Sequence, residues 1–217
     1  MDKITVTAFR SAPPFAHGLV RDVRVRWALE EAGLRYESEA VVDRNSAAYR
    51  QKQPFGMVPA FEADGLELFE SGAILHLIAE ESEALMPTDR AGRAKTLAWL
   101  FAALNTVEQP IWNLFLMDTQ HAEEPWVALR RPGAVEAVKV RLGALAAWLE
   151  GRDYLTGRFT VADILMATAL RFLRHTDLVA EFPVLDAYLK RCEARPALQK
   201  ALSDQLADYA RNDAAAA

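Results

Sequence analysis

One segment of the sequence, residues 53–71, combines backbone and side-chain groups that suit a short peptide ligand. Pro59 stands early in a predicted strand, and its missing N–H suits the edge or the start of a strand. If its peptide bond is cis, the N–H and C=O of Val58 face outward unpaired and can dock an extended peptide as an added strand. Farther on, Ser71 is placed to cap a helix whose exposed N–H groups hold a carboxylate, and Glu70 can accept from an ammonium. Together these groups suit a short zwitterionic peptide, with an ordinary turn, strand and helix cap as the structural alternative.

The elements that carry this segment alternate between strand and helix in the first half of the chain. Asp64-Gly65 between two apolar runs is a hairpin signal, and Gly33 is placed to end the first helix. A strand-helix-strand start gives a parallel pair, and the final hairpin adds antiparallel strands. The periodicities predict the order β-α-β-α-β-β-α, at residues 4–9, 19–31, 36–42, 46–52, 57–62, 66–69 and 71–81.

The second half shows the periodicity of helices alone. One long helical pattern covers residues 90–119 and should be kinked or divided at Pro110. The boundary between the halves is placed near residues 83–90. It gives a first domain over residues 1–82 and an all-helical second domain over residues 90–212. Further helices are predicted at residues 134–149, 160–176, from 183 onward and at 197–209.

Composition and charge exclude several classes of protein. A chain of 217 residues with 52% hydrophobic and 25% charged residues can bury a sizeable core. A formal net charge of −5, from 25 basic and 30 acidic residues, argues against a nucleic-acid binder. The single cysteine, Cys192, rules out an intrachain disulfide and a cysteine-rich zinc site. The opening residues show no signal-peptide pattern, and no apolar run reaches the roughly 20 residues of a membrane span. We therefore expect a cytoplasmic protein.

Three motifs in the right order resemble the cytosolic glutathione transferase family, in its bacterial type. The first is the run Pro-Phe-Gly-Met-Val-Pro at residues 54–59, followed eleven residues later by Glu-Ser at residues 70–71. Residues 24–33 are similar to the family's first helix. Residues 159–163 resemble the capping box and hydrophobic staple of the family's second domain, with a threonine as cap and an aspartate returning the bond. The resemblance implies the family fold, a thioredoxin-like domain followed by an all-helical domain.

The resemblance implies glutathione as a co-substrate, with no metal. The backbone of Val58 is implied for the cysteinyl moiety, and Glu70 with Ser71 for the γ-glutamyl end. Lys52, alone or with Gln53, is placed to meet the glycine carboxylate, although a lysine at the end of a short helix also suits simple solvation. The implied glutathione-binding residues are Lys52, Met57, Val58, Pro59, Glu70 and Ser71.

The group that activates the thiol is where the sequence departs from the family pattern. A thiol with a pKa of about 8.5 is mostly protonated at neutral pH, and the family lowers that pKa with a Tyr, Ser or Cys near the first helix. This chain has neither Cys nor Tyr there, and its loop is longer than usual. Ser11, Arg21 and His17 are the candidates in that order, through a hydroxyl donor, a permanent charge and an imidazolium. Their structural alternatives are a turn for Ser11, a plain loop histidine for His17, and a solvated trio of Arg21 with Arg24 and Arg26.

An electrophile pocket is implied between the two domains. Its walls would come from the loop near the first strand and from the long helix of the second half, with a cation at the entrance. The alternatives are a plain interdomain core and a solvated face. The residues implied are Phe15, Trp112, Phe115, Leu116 and Arg174.

Two classes of function follow from these residues. The first is an enzyme of detoxification in which glutathione thiolate attacks an electrophilic carbon or a peroxide oxygen, with a glutathione-dependent isomerase or lyase as the runner-up. The second is a glutathione-binding or structural protein on the same fold. The absence of a Cys-x-x-Cys pattern disfavours thioredoxin and glutaredoxin activity. We expect a homodimer with one glutathione site per subunit, and no nucleic acid or membrane partner.

Overall fold

The computed structural model describes Met1 and residues 3–215. The chain forms two compact units, one comprising Met1–Met86 with the chain from Ala194 onward, the other Pro87–Glu193. Its first unit is an α/β unit and its second is helical throughout the described residues.

The sheet of the first unit has four strands in the order β2-β1-β3-β4. Strand β1 runs parallel to β2 and antiparallel to β3. Strands β3 and β4 form the predicted hairpin, and Asp64 and Gly65 at its turn have φ angles of +52° and +80°. The mixed sheet predicted from the sequence is confirmed. The strands are β1 (Ile4–Phe9), β2 (Tyr36–Val41), β3 (Ala60–Ala63) and β4 (Leu66–Phe69).

Among the described residues of the first unit, four α-helices and a short 3-10 helix, Pro14–Ala16, accompany this sheet. Gly33 ends α1 in the left-handed region at φ +69°, as its position predicts. Helix α9 packs on α1. The sequence-based boundaries assign residues up to 212 to the helical second domain, whereas the structure groups the chain from Ala194 onward with the first unit. Ion pairs that periodicity does not reveal join the two helices, Arg26 to Asp208 at 2.7 Å and Arg195 to Glu31 at 2.5 Å. The helices are α1 (Asp22–Ala32), α2 (Ala47–Lys52), α3 (Ser71–Glu80) and α9 (Pro196–Ala214).

The second unit contains five helices among the described residues. The long pattern is divided by a π-helical turn, Ala103–Val107, just before Pro110, whose missing N–H favours such a break. The helix predicted from residue 134 starts nine residues earlier, at Pro125, and contains Pro132. The proline is tolerated because the turn at residues 128–133 is exposed, so that water can solvate the carbonyl that loses its hydrogen bond. The helices are α4 (Arg90–Ala102), α5 (Glu108–Thr119), α6 (Pro125–Leu149), α7 (Val161–Arg171) and α8 (Pro183–Glu193).

The predicted capping box opens α7, every residue of which is buried. One Asp163 oxygen accepts from the Thr160 N–H at 2.9 Å. The other accepts from the Leu155 N–H and from the Tyr188 hydroxyl, each at 3.0 Å. Asp163 therefore ties together the loop before α7, the first turn of α7 and helix α8. Within the part of the chain that the structure describes, no helix has both the length and the apolar character to cross a membrane.

Candidate functional site

The strand register brings the candidate ligand-binding groups to one end of the sheet. Continuing the antiparallel register of β1 and β3 places Val58 opposite Phe9, the last residue of β1. Ser11 follows two residues after Phe9. Glu70 and Ser71 follow β4, whose last residue pairs with the first residue of β3. Segments that are far apart in sequence therefore meet at the carboxyl end of β1.

The main chain of Val58 offers a donor and an acceptor at this end of the sheet. The Val58–Pro59 peptide bond is cis. Among the described residues, neither the N–H nor the C=O of Val58 has a hydrogen-bond partner. The chain just beyond is anchored, because the Ala60 N–H donates to the hydroxyl of Thr7 at 2.7 Å. An unpaired pair next to a fixed strand is what a peptide-like ligand needs for docking.

Two side chains hold the loop in front of Val58: Tyr49, which has no role in the sequence analysis, and Gln53, which the sequence analysis placed with Lys52 at the glycine carboxylate. The Tyr49 hydroxyl lies 2.9 Å from the Thr7 hydroxyl and donates to the Met57 carbonyl at 2.7 Å. Burial raises the pKa of Tyr49, so its hydroxyl stays protonated and able to donate. The buried Gln53 accepts from the N–H groups of Phe55 and Met57 at 2.8 and 3.1 Å. Gln53 therefore shapes the loop, and Met57 contributes its carbonyl to the same framework.

Lys52 lies between two carboxylates on the neighbouring hairpin. Its ammonium is 2.9 Å from Glu62 and 3.3 Å from Glu67. The hydrogen bond to Glu62 raises the pKa of Lys52. These two carboxylates balance the charge of Lys52, which is therefore neither simply solvated nor an unpaired cation.

Glu70 adopts a backbone conformation that is rare for residues other than glycine. Its φ is +72° and its ψ is 110°, and it precedes the first turn of α3 without a side-chain capping bond. Its carbonyl accepts from the Ile74 N–H at 3.0 Å, which starts the helix. Ser71 is thus the first residue inside α3 rather than its cap. Strained backbone of this kind is found preferentially at ligand-binding sites.

Arg24 reaches the same helix start from α1. Its guanidinium donates to the Ser71 hydroxyl at 3.3 Å, and both side chains are buried. Arg26 is buried as well and is paired with Asp22 and Asp208. The alternative of a solvated arginine trio is therefore wrong for these two arginines. Sequence reasoning missed them because charged residues on a helix usually mark its solvated face.

The three candidates for thiol activation lie in or just after the loop that follows β1. Ser11 is exposed, and no described residue hydrogen-bonds to its hydroxyl. His17 is engaged with the Ala12 carbonyl, 2.8 Å from its Nε2. Arg21 is half-buried directly before α1. Ser11 is therefore the candidate whose polar group is open to a ligand.

The residues implied for the electrophile pocket divide between the two units. In the second unit Trp112 stacks on Phe115 with ring centres 5.5 Å apart. Phe172, which the sequence analysis did not select, contacts both rings at 5.1 and 5.2 Å. Leu116 is half-buried on the same helix, whereas Arg174 is exposed beyond the end of α7. Phe15 belongs to the first unit, where its side chain is 51% exposed.

A charged cluster adjoins these aromatic rings. His175 lies against Phe115 and 3.0 Å from the Asp118 carboxylate, which Arg131 also contacts at 2.6 Å. Burial acts to raise the pKa of Asp118, but the hydrogen bonds from Arg131 and His175 outweigh it and lower the pKa below 3.8. Among Met1 and residues 3–215, no group of three His, Cys, Asp or Glu side chains is arranged to hold a metal ion.

Comparison with known proteins decides the family. The family model described as Glutathione S-transferase, N-terminal domain, matches residues 15–80, and the C-terminal domain model matches residues 130–196. The chain belongs to the glutathione S-transferase family. Glutathione S-transferase GstA of Escherichia coli O157:H7 is 30% identical over 164 residues, which cover 73% of this chain and 79% of that protein.

Two further family relatives bear on function. A glutathione transferase family member from Pseudomonas fluorescens pf-5, whose crystal structure has two glutathione bound, superposes with a TM-score of 0.81. The two are 27% identical, and the match covers 93% of this chain and 92% of that one. Elongation factor 1-gamma-A of Xenopus laevis is 31% identical over 141 residues, 61% of this chain. This chain spans only 30% of that longer protein, so glutathione S-transferase family membership does not by itself specify an activity.

Proposed function

We propose that this protein is a glutathione transferase that binds glutathione at the carboxyl end of β1 and activates its thiol. The observation that carries the proposal is the unpaired main chain of Val58, placed by the strand register beside Glu70 and the start of α3. A peptide-like ligand with an ammonium and a carboxylate at one end matches that set of groups. Glutathione is such a ligand, and it supplies the thiol that this thioredoxin-like unit lacks.

Two of the three residues of glutathione, the cysteinyl and the γ-glutamyl residue, have counterparts among these groups. The cysteinyl main chain pairs with the N–H and C=O of Val58. The γ-glutamyl carboxylate meets the first N–H groups of α3, where the helix dipole favours an anion. Because Ser71 accepts from Arg24, its own hydroxyl proton is free to donate to that carboxylate. Glu70 accepts from the γ-glutamyl ammonium.

The chemistry requires a stabilised thiolate. The thiol proton leaves to solvent, and a hydrogen bond from the Ser11 hydroxyl stabilises the negative sulfur and lowers the thiol pKa. The sulfur lone pair then forms a bond to an electrophilic carbon, and the bond to the leaving group breaks with its electron pair going to that group. With a peroxide, the same lone pair attacks oxygen and the O–O bond breaks instead. Arg21 is the second candidate to stabilise the thiolate.

The second substrate in this proposal is a small hydrophobic electrophile. The half-buried ring of Trp112, which packs on the buried rings of Phe115 and Phe172, supports this choice, because an aromatic ring provides an apolar surface for such a molecule.

We also propose a homodimer, supported by exposed apolar side chains on the loop that carries Val58. Phe55 is 66% and Met57 39% exposed. An apolar patch of this kind on a water-soluble unit favours association with a second copy. Sedimentation equilibrium should give twice the chain mass, and a monomer at micromolar concentration would contradict this part of the proposal.

A second candidate is a glutathione-binding protein without turnover, favoured by the similarity to elongation factor 1-gamma-A. A glutathione-dependent isomerase or lyase shares the glutathione site and differs only in its second substrate. The test is the pKa of enzyme-bound glutathione, followed by thiolate absorbance, together with conjugation to an activated aryl chloride. We expect a thiol pKa well below its free value of about 8.5 and measurable conjugation. Binding without a pKa shift or turnover would favour the second candidate.

A further inference from the structure

One face of α9 contacts both ends of the loop that carries Ser11. Asn212 donates to the Arg10 carbonyl at 2.9 Å, and the Arg10 guanidinium donates back to the Asn212 carbonyl at 3.3 Å. At the far end of the loop, the side-chain oxygen of Gln205 accepts from the Gly18 N–H at 2.9 Å. Positions 205, 209 and 212 are four and three residues apart and so lie on one side of the helix.

Tyr209 lies between these two anchors on the helix and contacts His17, the residue before Gly18. Its ring centre is 5.4 Å from that of His17. The His17 Nε2 is in turn 2.8 Å from the carbonyl of Ala12, the residue next to Ser11. Since a carbonyl oxygen only accepts, His17 carries a proton on Nε2 and donates it. The Tyr209 hydroxyl is buried and has no hydrogen-bond partner in the described part of the chain, so the aromatic ring of Tyr209 makes the contact with His17.

Helix α9 is itself rigidly attached to α1, so it can serve as a fixed support. Asp208, on the turn that carries Tyr209, pairs with the buried Arg26 at 2.7 Å. Gln205 uses its amide to donate to Asp22 at 2.8 Å while its oxygen holds Gly18. A loop that this rigid face holds at Arg10 and Gly18, and whose His17 packs on the same face while bonding to Ala12, has little freedom to move.

We propose that Gln205, Tyr209 and Asn212 are positioning residues that set the place of the Ser11 hydroxyl relative to the glutathione sulfur. This inference rests on the proposed function. None of the three touches the substrate in this account, and they act only through Arg10, His17 and Gly18. A displacement of a reacting group by 1 Å costs on the order of 100-fold in rate. A loosened loop should therefore reduce thiolate formation and turnover while leaving glutathione binding intact.

The test compares Asn212→Ala with Asp213→Ala, a matched control that changes the next residue of α9, which is exposed. In Asn212→Ala we expect kcat to fall about 10- to 100-fold and the pKa of bound glutathione to rise toward its free value. The dissociation constant of glutathione should stay within about 2-fold, because the binding groups at Val58 and Glu70 are untouched. Asp213→Ala should match the wild type in all three measurements.

A second pair of variants guards against loss of folding. Tyr209→Phe keeps the ring and should behave as the wild type. Tyr209→Leu should reproduce the defect of Asn212→Ala while keeping the native circular dichroism spectrum at the assay temperature, although the smaller buried side chain lowers its melting temperature. If Asn212→Ala and Tyr209→Leu both keep the kcat and the bound-thiol pKa of the wild type, the positioning role is wrong, while the proposed function stands. Failure of the wild type to bind glutathione would overturn the proposed function and the positioning role with it.

Discussion

At the residue scale, we expect the backbone conformation of Glu70 to favour glutathione binding and to lower the stability of the fold. A side chain at φ +72° costs about 1–3 kcal/mol relative to a relaxed backbone. Such strain persists when the rest of the site requires it. In this account the requirement is an acceptor for the γ-glutamyl ammonium at the start of α3.

Replacing Glu70 by glycine should therefore stabilise the fold and weaken glutathione binding. We expect the free energy of unfolding to rise by about 1 kcal/mol and the dissociation constant of glutathione to rise about 10- to 100-fold. Urea unfolding and titration calorimetry check the two effects. Asp64→Gly is the control, because Asp64 also has positive φ, +52°, but lies in the hairpin turn. Glutathione binding unchanged in Glu70→Gly would remove Glu70 from the site.

Ser11 carries the proposed activation of the thiol through one hydroxyl group. In Ser11→Ala we expect kcat to fall about 100-fold, the usual effect of removing one donor that stabilises a developing anion. The pKa of bound glutathione should rise at the same time, while its dissociation constant changes little. Thiolate absorbance against pH gives the pKa, and Ser203→Ala, at an exposed position of α9, is the control. An unchanged thiol pKa would transfer the role to Arg21.

At the element scale, the start of α7 depends on a single buried carboxylate. Asp163→Ala leaves the N–H groups of Thr160 and Leu155 and the Tyr188 hydroxyl without their acceptor. We expect a loss of about 3 kcal/mol in the free energy of unfolding. Asp186→Ala, which breaks an exposed pair with Lys190, should cost less than about 0.5 kcal/mol. Equal losses in the two variants would contradict the role of this capping box.

The Asp118 cluster should make stability depend on pH in a defined direction. Since the folded state lowers the pKa of this carboxyl below 3.8, the ionised form stabilises the fold, fully at pH values above that ordinary pKa. The contribution is lost as the pH falls through the lowered folded value. Asp118→Asn should thus be destabilised by about 1 kcal/mol at neutral pH, with the difference from wild type disappearing in acid. Urea unfolding across this pH range checks the effect, and a pH-independent difference would contradict it.

Also at this scale, the sequence predicts the elements well where local signals suffice. Strands β1 and β4 have the predicted bounds, Gly33 ends α1, and the threonine and aspartate opening α7 form the expected capping box. The exceptions have physical causes. Helix α6 runs through Pro132 because that turn faces water, and the long helix breaks at a π-helical turn rather than at Pro110 itself.

The candidate site was predictable where a motif fixes the backbone. The segment with Val58 and the pair Glu70-Ser71 could be read from residue types because a proline and a helix start determine which main-chain groups are left unpaired. The buried positions of Arg24 and Arg26 could not, because their partners lie on other elements and pairing alone makes burial of a charge tolerable. The contacts of α9 with the loop after β1 could not be predicted either, because they join elements that are far apart in sequence.

At the scale of the whole molecule, the central claim is that one end of the sheet recognises glutathione as a peptide with a charged γ-glutamyl end. Strand pairing collects the main chain of Val58, the strained Glu70 and the start of α3 at that end. Membership of the glutathione S-transferase family supports this claim. Turnover is a separate question, since the family's relatives include elongation factor 1-gamma-A.

The most direct test is titration calorimetry of the wild-type protein with glutathione and with cysteinylglycine, which lacks the γ-glutamyl residue. We expect glutathione to bind at least about 10-fold more tightly than cysteinylglycine, and Glu70→Gln to reduce this preference by weakening the binding of glutathione alone. Glu37→Gln, which removes the same charge from the exposed strand β2, should leave both affinities unchanged. Equal affinity of the wild type for the two peptides, or binding of neither, would contradict the account.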